Sequence, residues 1–203
     1  SGMFEEVHDN APTLGTKDVR VYYDLQKLAK WLEHQQVSEY WKSSPFLFNF
    51  MTGYKLKTEF DKWANDPVWN SEMADQIRFP KDLFLSQKAI EGYRQLDSGN
   101  AKIRSLVKDI RESGAGEVLW LPPSCPYYGL SKAFEKVSQA GFTKRLVFSS
   151  WRIVPKSIAM LLSYEVERLA FQKDEKRPRN TPEARTKRRR GLLAFRGGKG
   201  PPG

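Results

Sequence analysis

Apolar residues recur every three to four positions in several parts of this chain, and that spacing predicts amphipathic helices. The first helix is expected to begin at Thr16 or Lys17 and to continue to about Gln36. A second helix is expected over residues 83–96, after the chain is broken at two prolines. The apolar face of the first helix is predicted to consist of Val21, Leu25, Leu28, Ala29 and Leu32.

The same spacing returns in the second half of the chain. A third helix is expected between Asn100, which can cap its start, and Gly114, which suits its end. Residues 130–139 are weakly helical, and a further helix is expected near Pro155, which can occupy a first turn. The apolar positions of the third and last helices are Ile103, Leu106, Val107, Ile110, Ile158, Leu161, Leu162, Val166 and Leu169.

Two short apolar runs have a different pattern and predict buried strands. Glu117–Leu121 is stopped by two prolines, and Lys144–Trp151 passes from a basic step through apolar residues to small hydroxyls and a tryptophan. The resulting order of helix, strand, connection, strand and helix predicts the start of a parallel α/β layer in an otherwise helix-rich chain. Ligands bind at the carboxyl ends of such strands, so Ser149, Ser150 and Trp151 are candidate site residues.

Aromatic residues crowd the segment between Tyr40 and Trp63, and two interpretations of them differ in function. Aromatic side chains at mixed spacing in a helical region are typical of a hydrophobic core, although they can also form a platform on which bases stack. We expect the core, with Tyr54, Lys55 and Lys57 as the exposed exceptions.

Composition narrows the class of protein. The 203 residues are 39% hydrophobic, which supports a folded chain, and neither a run of 18 apolar residues nor a secretory signal is visible. We therefore expect a soluble, cytoplasmic protein without a membrane partner. Cys125 is the single cysteine, so no internal disulfide can form, and the two histidines, His8 and His34, do not suggest a hydrolytic triad or a zinc site. No catalytic, cofactor-binding or metal-binding residue is predicted.

Positive charge is concentrated near the end of the chain. The net charge is +10, and residues 173–190 contain nine basic and three acidic side chains, a balance of +6. A concentrated basic run is typical of phosphate binding, and a solvated linker is the alternative interpretation. The candidate phosphate-binding residues of this run are Lys187, Arg188, Arg189 and Arg190.

The order of Asn100-Ala101-Lys102 at a helix start, followed later by Leu146-Val147-Phe148-Ser149-Ser150-Trp151, resembles the beginning of the second RecA-like lobe of superfamily 2 helicases and Snf2-type translocases. In that family a strand ending in Phe-Ser, and often Trp, is called motif IV. Further segments look like a subgroup of large bacterial helicase-like proteins, and two of them look like the region that joins the two lobes. These segments are residues 119–124, 126–128, 143–144 and 161–165, with 39–45 and 53–57 for the joining region.

The resemblance implies a helical inter-lobe region (17–98) and a partial helicase C-terminal lobe (99–172). The residues on either side predict a flexible N-terminus (1–16) and, from their charge, glycine and proline content, a basic, mostly disordered segment (173–203). The resemblance also implies contacts to the nucleic-acid backbone, with DNA expected rather than RNA. The predicted contact residues are Ser149, Ser150, Trp151, Arg152 and Lys187 to Arg190.

The chain lacks the phosphate loop, the acidic magnesium-binding motif and the arginine-rich motif of that family. We therefore expect a fragment that does not hydrolyse ATP alone, whereas the intact helicase would use ATP and Mg²⁺ and would supply the remaining lobes as partners. The alternative is a non-enzymatic module that binds a protein or nucleic acid, for which an exposed apolar patch over Tyr40 to Trp63 would be favourable.

Overall fold

The computed structural model describes residues 12–33, 37–67, 81–119, 132–142, 146–172 and 179–186, and every regular element within these residues is helical. Two 3₁₀ turns, Lys81–Leu83 and Ala115–Val118, accompany the α-helices. The α-helices are α1 (Thr16–Trp31), α2 (Ser38–Ser43), α3 (Leu47–Phe50), α4 (Lys55–Ala64), α5 (Gln87–Glu91), α6 (Ala101–Ser113), α7 (Lys132–Gln139), α8 (Ile153–Phe171) and α9 (Pro182–Thr186).

The ends of α6 follow from two residues. The Asn100 side-chain oxygen accepts a hydrogen bond from the Ile103 backbone N–H at 3.1 Å, which satisfies one of the free amides of the first turn. Gly114 ends the helix with a φ of +71°, a left-handed conformation that suits glycine. The predicted helix between these two residues is therefore confirmed, with its cap and its end.

One hydrophobic cluster joins helices from both halves of the chain. It is formed by α1, α2, α3 and α4 together with Leu83, Ile103 on α6, and Val154 and Ile158 on α8. Four of the five predicted apolar residues of α1 are buried, and Leu32 packs against the cluster. Six aromatic residues of the segment from Tyr40 to Trp63 belong to this cluster or pack against it, namely Tyr40, Trp41, Phe48, Tyr54, Phe60 and Trp63. The core interpretation is confirmed for these residues. Of the three expected exposed exceptions, Lys55 is exposed, whereas Tyr54 and Lys57 are half-buried.

A buried ion pair ties α1 to α6. Asp18 is fully buried, and its two carboxylate oxygens accept hydrogen bonds from the two terminal nitrogens of Arg104 at 2.6 and 2.5 Å. The same carboxylate accepts the Gly15 N–H at 2.6 Å, and Arg104 also donates to the Ser98 carbonyl at 3.1 Å. Two parallel charge-assisted bonds fix the angle between the two helices as well as their separation.

The prediction of a parallel α/β layer is wrong for the part of the chain that the structure describes. Residues 146–150 form no strand, and the side chains of Leu146 and Phe148 are 81% and 87% exposed. A strand requires a neighbour to complete its hydrogen bonds, and none of the described residues provides one. A short apolar run therefore did not suffice to identify a strand. Lys144 and Arg145 lie outside the described residues.

The prediction of a strand over Glu117–Leu121 is also wrong for the described part of that segment. Ala115–Val118 is a 3₁₀ turn that begins at left-handed Gly114, contacts α6 and α7, and buries Val118. Helix boundaries differ as well. Residues 83–96 contain α5 as their one α-helix, and α1 ends at Trp31, five residues before the expected end. The helices expected over residues 130–139 and near Pro155 are confirmed as α7 and α8.

Candidate nucleic-acid interface

The predicted site residues before α8 lie on an exposed turn. Ser149, Ser150 and Arg152 are exposed, and the Ser149 hydroxyl oxygen accepts a hydrogen bond from the Trp151 N–H at 3.1 Å. The Trp151 carbonyl in turn accepts the Val154 N–H at 3.1 Å and so leads the chain into the helix. These bonds hold a short hydroxyl-rich turn at the N-terminus of α8.

Trp151 anchors this turn to the core. Its ring centroid lies 4.6 Å from that of Tyr40 and 6.1 Å from that of Tyr54, with both pairs tilted at 55°. Such tilted aromatic pairs are favourable beyond the area they bury. Burial, with a smaller effect of Tyr54, raises the pKa of the Tyr40 phenol. The anchored ring leaves the hydroxyls and the guanidinium beside it facing solvent.

The start of α8 is electropositive. Arg152 and Lys156 are exposed one turn apart, and neither forms an ion pair with any residue that the structure describes. The first turn of α8 contains no acidic side chain. Because the helix dipole also places partial positive charge at this end, the two cations and the dipole favour an anion at the same place.

One of the two predicted groups of contact residues lies outside the described residues. Lys187, Arg188, Arg189 and Arg190 lie outside the described residues, which end at Thr186 in α9. Their predicted contact with phosphate therefore stays a prediction, whereas Ser149, Ser150, Trp151 and Arg152 are placed in one turn. Lys156 belongs to the same surface and was not predicted, although its position one turn after Arg152 in a helical segment could have indicated it.

A groove between α6 and α8 was not predicted from the sequence. The polar face of α6 places Arg104, Lys108 and Arg111 along its edge, at the spacing of one helix face. Of the basic residues of this helix, the sequence prediction included Lys102 alone, which does not line the groove. What the sequence could not show is that α8 and residues 95–98 face them across a cavity of about 610 Å³.

The cations of this groove differ in whether a buried carboxylate already binds them. The hydrogen bond from Arg104 holds the pKa of the Asp18 carboxyl below its ordinary value, with a smaller contribution from the Gly15 N–H and with burial acting in the opposite direction. The same bond raises the pKa of Arg104. Arg104 is therefore paired with a buried carboxylate, and Lys108 and Arg111 are the cations of the groove that a ligand could bind.

Comparison with protein-family models, with curated proteins and with solved structures gives no match for this chain. None of the described helices has the length and apolar character needed to cross a membrane. Among the described residues, no group of three or more histidine, cysteine, aspartate or glutamate side chains could hold a metal ion. The resemblance to helicases therefore stays a prediction from sequence motifs.

Proposed function

We propose that this chain is a helical, nucleic-acid-binding segment of an ATP-dependent helicase or translocase, and that it contacts the phosphate backbone of DNA through the start of α8. The observation that supports this proposal is the exposed set of Ser149, Ser150, Arg152 and Lys156 on a turn anchored by Trp151. Hydroxyl, guanidinium and ammonium groups are the usual partners of phosphate oxygens, and they position a protein without reading the base sequence.

The overall charge of +10 supports the same proposal, because electrostatic attraction to phosphate provides most of the affinity in sequence-independent binding. The ATP site is proposed to lie in the remaining lobes of the intact helicase, because the motifs that bind ATP and Mg²⁺ are not found in this sequence. This segment would couple those lobes to DNA and would not hydrolyse ATP alone. The proposal assigns the protein to the cytoplasm, where ATP and DNA are both present.

Fluorescence anisotropy with a labelled DNA duplex tests the proposal. The double variant Arg152→Ala/Lys156→Ala removes two phosphate contacts and should reduce the slope of log K against log salt concentration by about 2. The matched control is Arg20→Ala/Lys30→Ala, which removes the same charge from exposed positions of α1. If both variants weaken binding equally, or if the wild type shows no salt-dependent binding, the start of α8 is not the interface.

A second candidate function is docking of a protein partner, and one observation favours it. Leu146, Val147 and Phe148 are 81%, 40% and 87% exposed, so three consecutive apolar side chains face solvent. An exposed apolar patch over the segment from Tyr40 to Trp63 would also have favoured this function, but most aromatic residues of that segment are packed in or against the core.

Leu146→Ser/Phe148→Ser tests this second function. Because both side chains are exposed, the melting temperature and DNA binding of the variant should equal those of the wild type. Docking onto other lobes predicts that DNA-stimulated ATP hydrolysis by the intact helicase is lost. A variant with weakened DNA binding would instead assign the segment to the nucleic-acid interface.

A further inference from the structure

A groove lies between α6 and α8 and is lined in part by residues 95–98. Its volume of about 610 Å³ lies within the roughly 300–1,000 Å³ range of small-molecule sites. Its apolar lining is provided by Phe46, Ile103, Val107 and Leu161. The groove is separate from the turn at the start of α8, because none of the residues of that turn lines it.

Most charged groups along the groove are already paired. Glu165 accepts two hydrogen bonds from Arg168, at 2.7 and 2.6 Å, and both residues are buried. Asp97 lies 2.8 Å from the Lys17 ammonium. Arg104 is bound by Asp18, as described above. These three groups therefore present little net charge to a ligand.

Two cations remain on the α6 side of the groove. Arg111 forms no ion pair with any described residue, and Lys108 is 3.9 Å from Glu112 in a largely exposed pair that contributes little. Lys108 and Arg111 are three residues apart on one helix, so their side chains lie on neighbouring positions of one face. Glu112 also lines this edge and offsets part of their charge, so the edge carries Lys108 and Arg111 against one carboxylate and keeps a net positive charge of one. The groove thus combines an apolar lining with a weakly positive edge, and Gln95 adds an amide that can donate and accept hydrogen bonds.

We propose that this groove binds a nucleoside phosphate. The base packs against the apolar lining, the polar groups of residues 95–98 contact its edge, and Lys108 and Arg111 bind the phosphate. Arginine and lysine form charge-assisted hydrogen bonds with phosphate oxygens, and a planar base suits a site with an apolar lining and few polar groups. The ligand can be a free mononucleotide or one nucleotide of a single strand, and both have this chemistry. The inference does not depend on the proposed contact between α8 and DNA.

The test begins with isothermal titration calorimetry, using AMP, adenosine and inorganic phosphate as probes. AMP should bind more tightly than either of its parts. Lys108→Ala and Arg111→Ala should each weaken AMP binding about tenfold or more, since a hydrogen bond to a charged group contributes enough for that factor. Lys102→Ala is the matched control, because Lys102 is exposed on the same helix but does not line the groove.

Amide chemical-shift mapping identifies the site and the source of the ligand. Shifts confined to residues 95–112 and 161–165 on addition of AMP support the groove as a site for a free nucleotide. The same shifts with a short single-stranded oligonucleotide, but not with AMP, support it as a site for a nucleotide within a strand. Shifts around residues 150–156 only, or no binding of either probe, would overturn the inference. Arg152→Ala/Lys156→Ala should leave AMP binding unchanged, so failure at either site can be distinguished from failure at the other.

Discussion

Asp18 and Arg104 form a buried ion pair, and we expect substitution of one partner to lower the free energy of unfolding more than substitution of the other. Asp18 is fully buried, whereas the Arg104 side chain is 37% exposed. Arg104→Met leaves a buried carboxylate without its cation. Because an uncompensated buried charge is strongly destabilising, this variant should lower the free energy of unfolding by about 4 kcal/mol. Asp18→Asn leaves a guanidinium that water can reach, and its amide oxygen still accepts a hydrogen bond, so its cost should be about 2 kcal/mol.

The same pair predicts how these costs change with pH. The folded-state pKa of Asp18 is lowered, so the stability it contributes is present above the unfolded-state pKa of about 3.9 and is lost as the pH falls through the folded-state value. In Arg104→Met, burial without the cation favours the protonated acid, and the penalty of this variant should therefore shrink as the pH is lowered. Both variants should approach the wild type in acid.

Urea unfolding followed by circular dichroism at neutral pH and at about pH 3 measures these differences. The double variant Asp18→Asn/Arg104→Met completes a thermodynamic cycle and should be less destabilised than the sum of the single variants. If Arg104→Met costs less than Asp18→Asn at neutral pH, or if its penalty is the same in acid, the assignment of the buried carboxylate as the costly partner is refuted.

Three further outcomes are expected. Gly99→Ala should destabilise the protein by about 1 to 3 kcal/mol in urea unfolding, because a Cβ there would overlap the Val21 side chain; an unchanged midpoint would contradict the close approach. Trp151→Ala should lower the free energy of unfolding by about 2 to 3 kcal/mol, since the half-buried ring packs on two tyrosines, whereas Phe148→Ser should not change it; equal effects would contradict the anchoring role. Burial raises the pKa of Tyr164 to about 12, so this phenol contributes stability below the unfolded-state pKa of about 10 that is lost as the pH rises toward the folded-state value. Tyr164→Phe should therefore flatten the alkaline part of the stability profile, and an unchanged profile would exclude that cause.

Helices with strong local signals were predictable from the sequence, and the strands were not. Asn100 and Gly114 define α6 through bonds and backbone angles within a few residues of each end, so the sequence contains the information. The apolar run at residues 146–148 carries no such local information. Whether it becomes a strand depends on a neighbouring strand, and the described part of the chain has none.

The candidate sites also differ in how far they depend on local sequence and on contacts between distant residues. Ser149, Ser150 and Trp151 are consecutive, and their place directly before a helix could be predicted because helical periodicity resumes after them. They were expected at the end of a strand, however, and form an exposed turn instead. The Asp18–Arg104 pair and the groove could not be predicted, because they depend on contacts between residues that are far apart in the sequence. A helix face rich in basic residues is visible in the sequence, but the pairing of α6 with Phe46 and with Leu161 of α8 around one groove becomes visible only once the helices are placed.

The ion pair also has a consequence for how the chain folds during synthesis. Asp18 and Arg104 are 86 residues apart, so at ribosomal rates of about 5–20 residues per second α1 is made roughly 4 to 17 s before its partner helix. Until then the apolar face of α1 can pack against α2, α3 and α4, but the Asp18 carboxylate has no cation and is better left in water than buried. We therefore expect the apolar face of α1 to dock early, whereas its first turn around Asp18 stays open until α6 has been made. Because closing such a long loop is slow relative to local helix formation, weakening the pair should speed unfolding more than it slows folding.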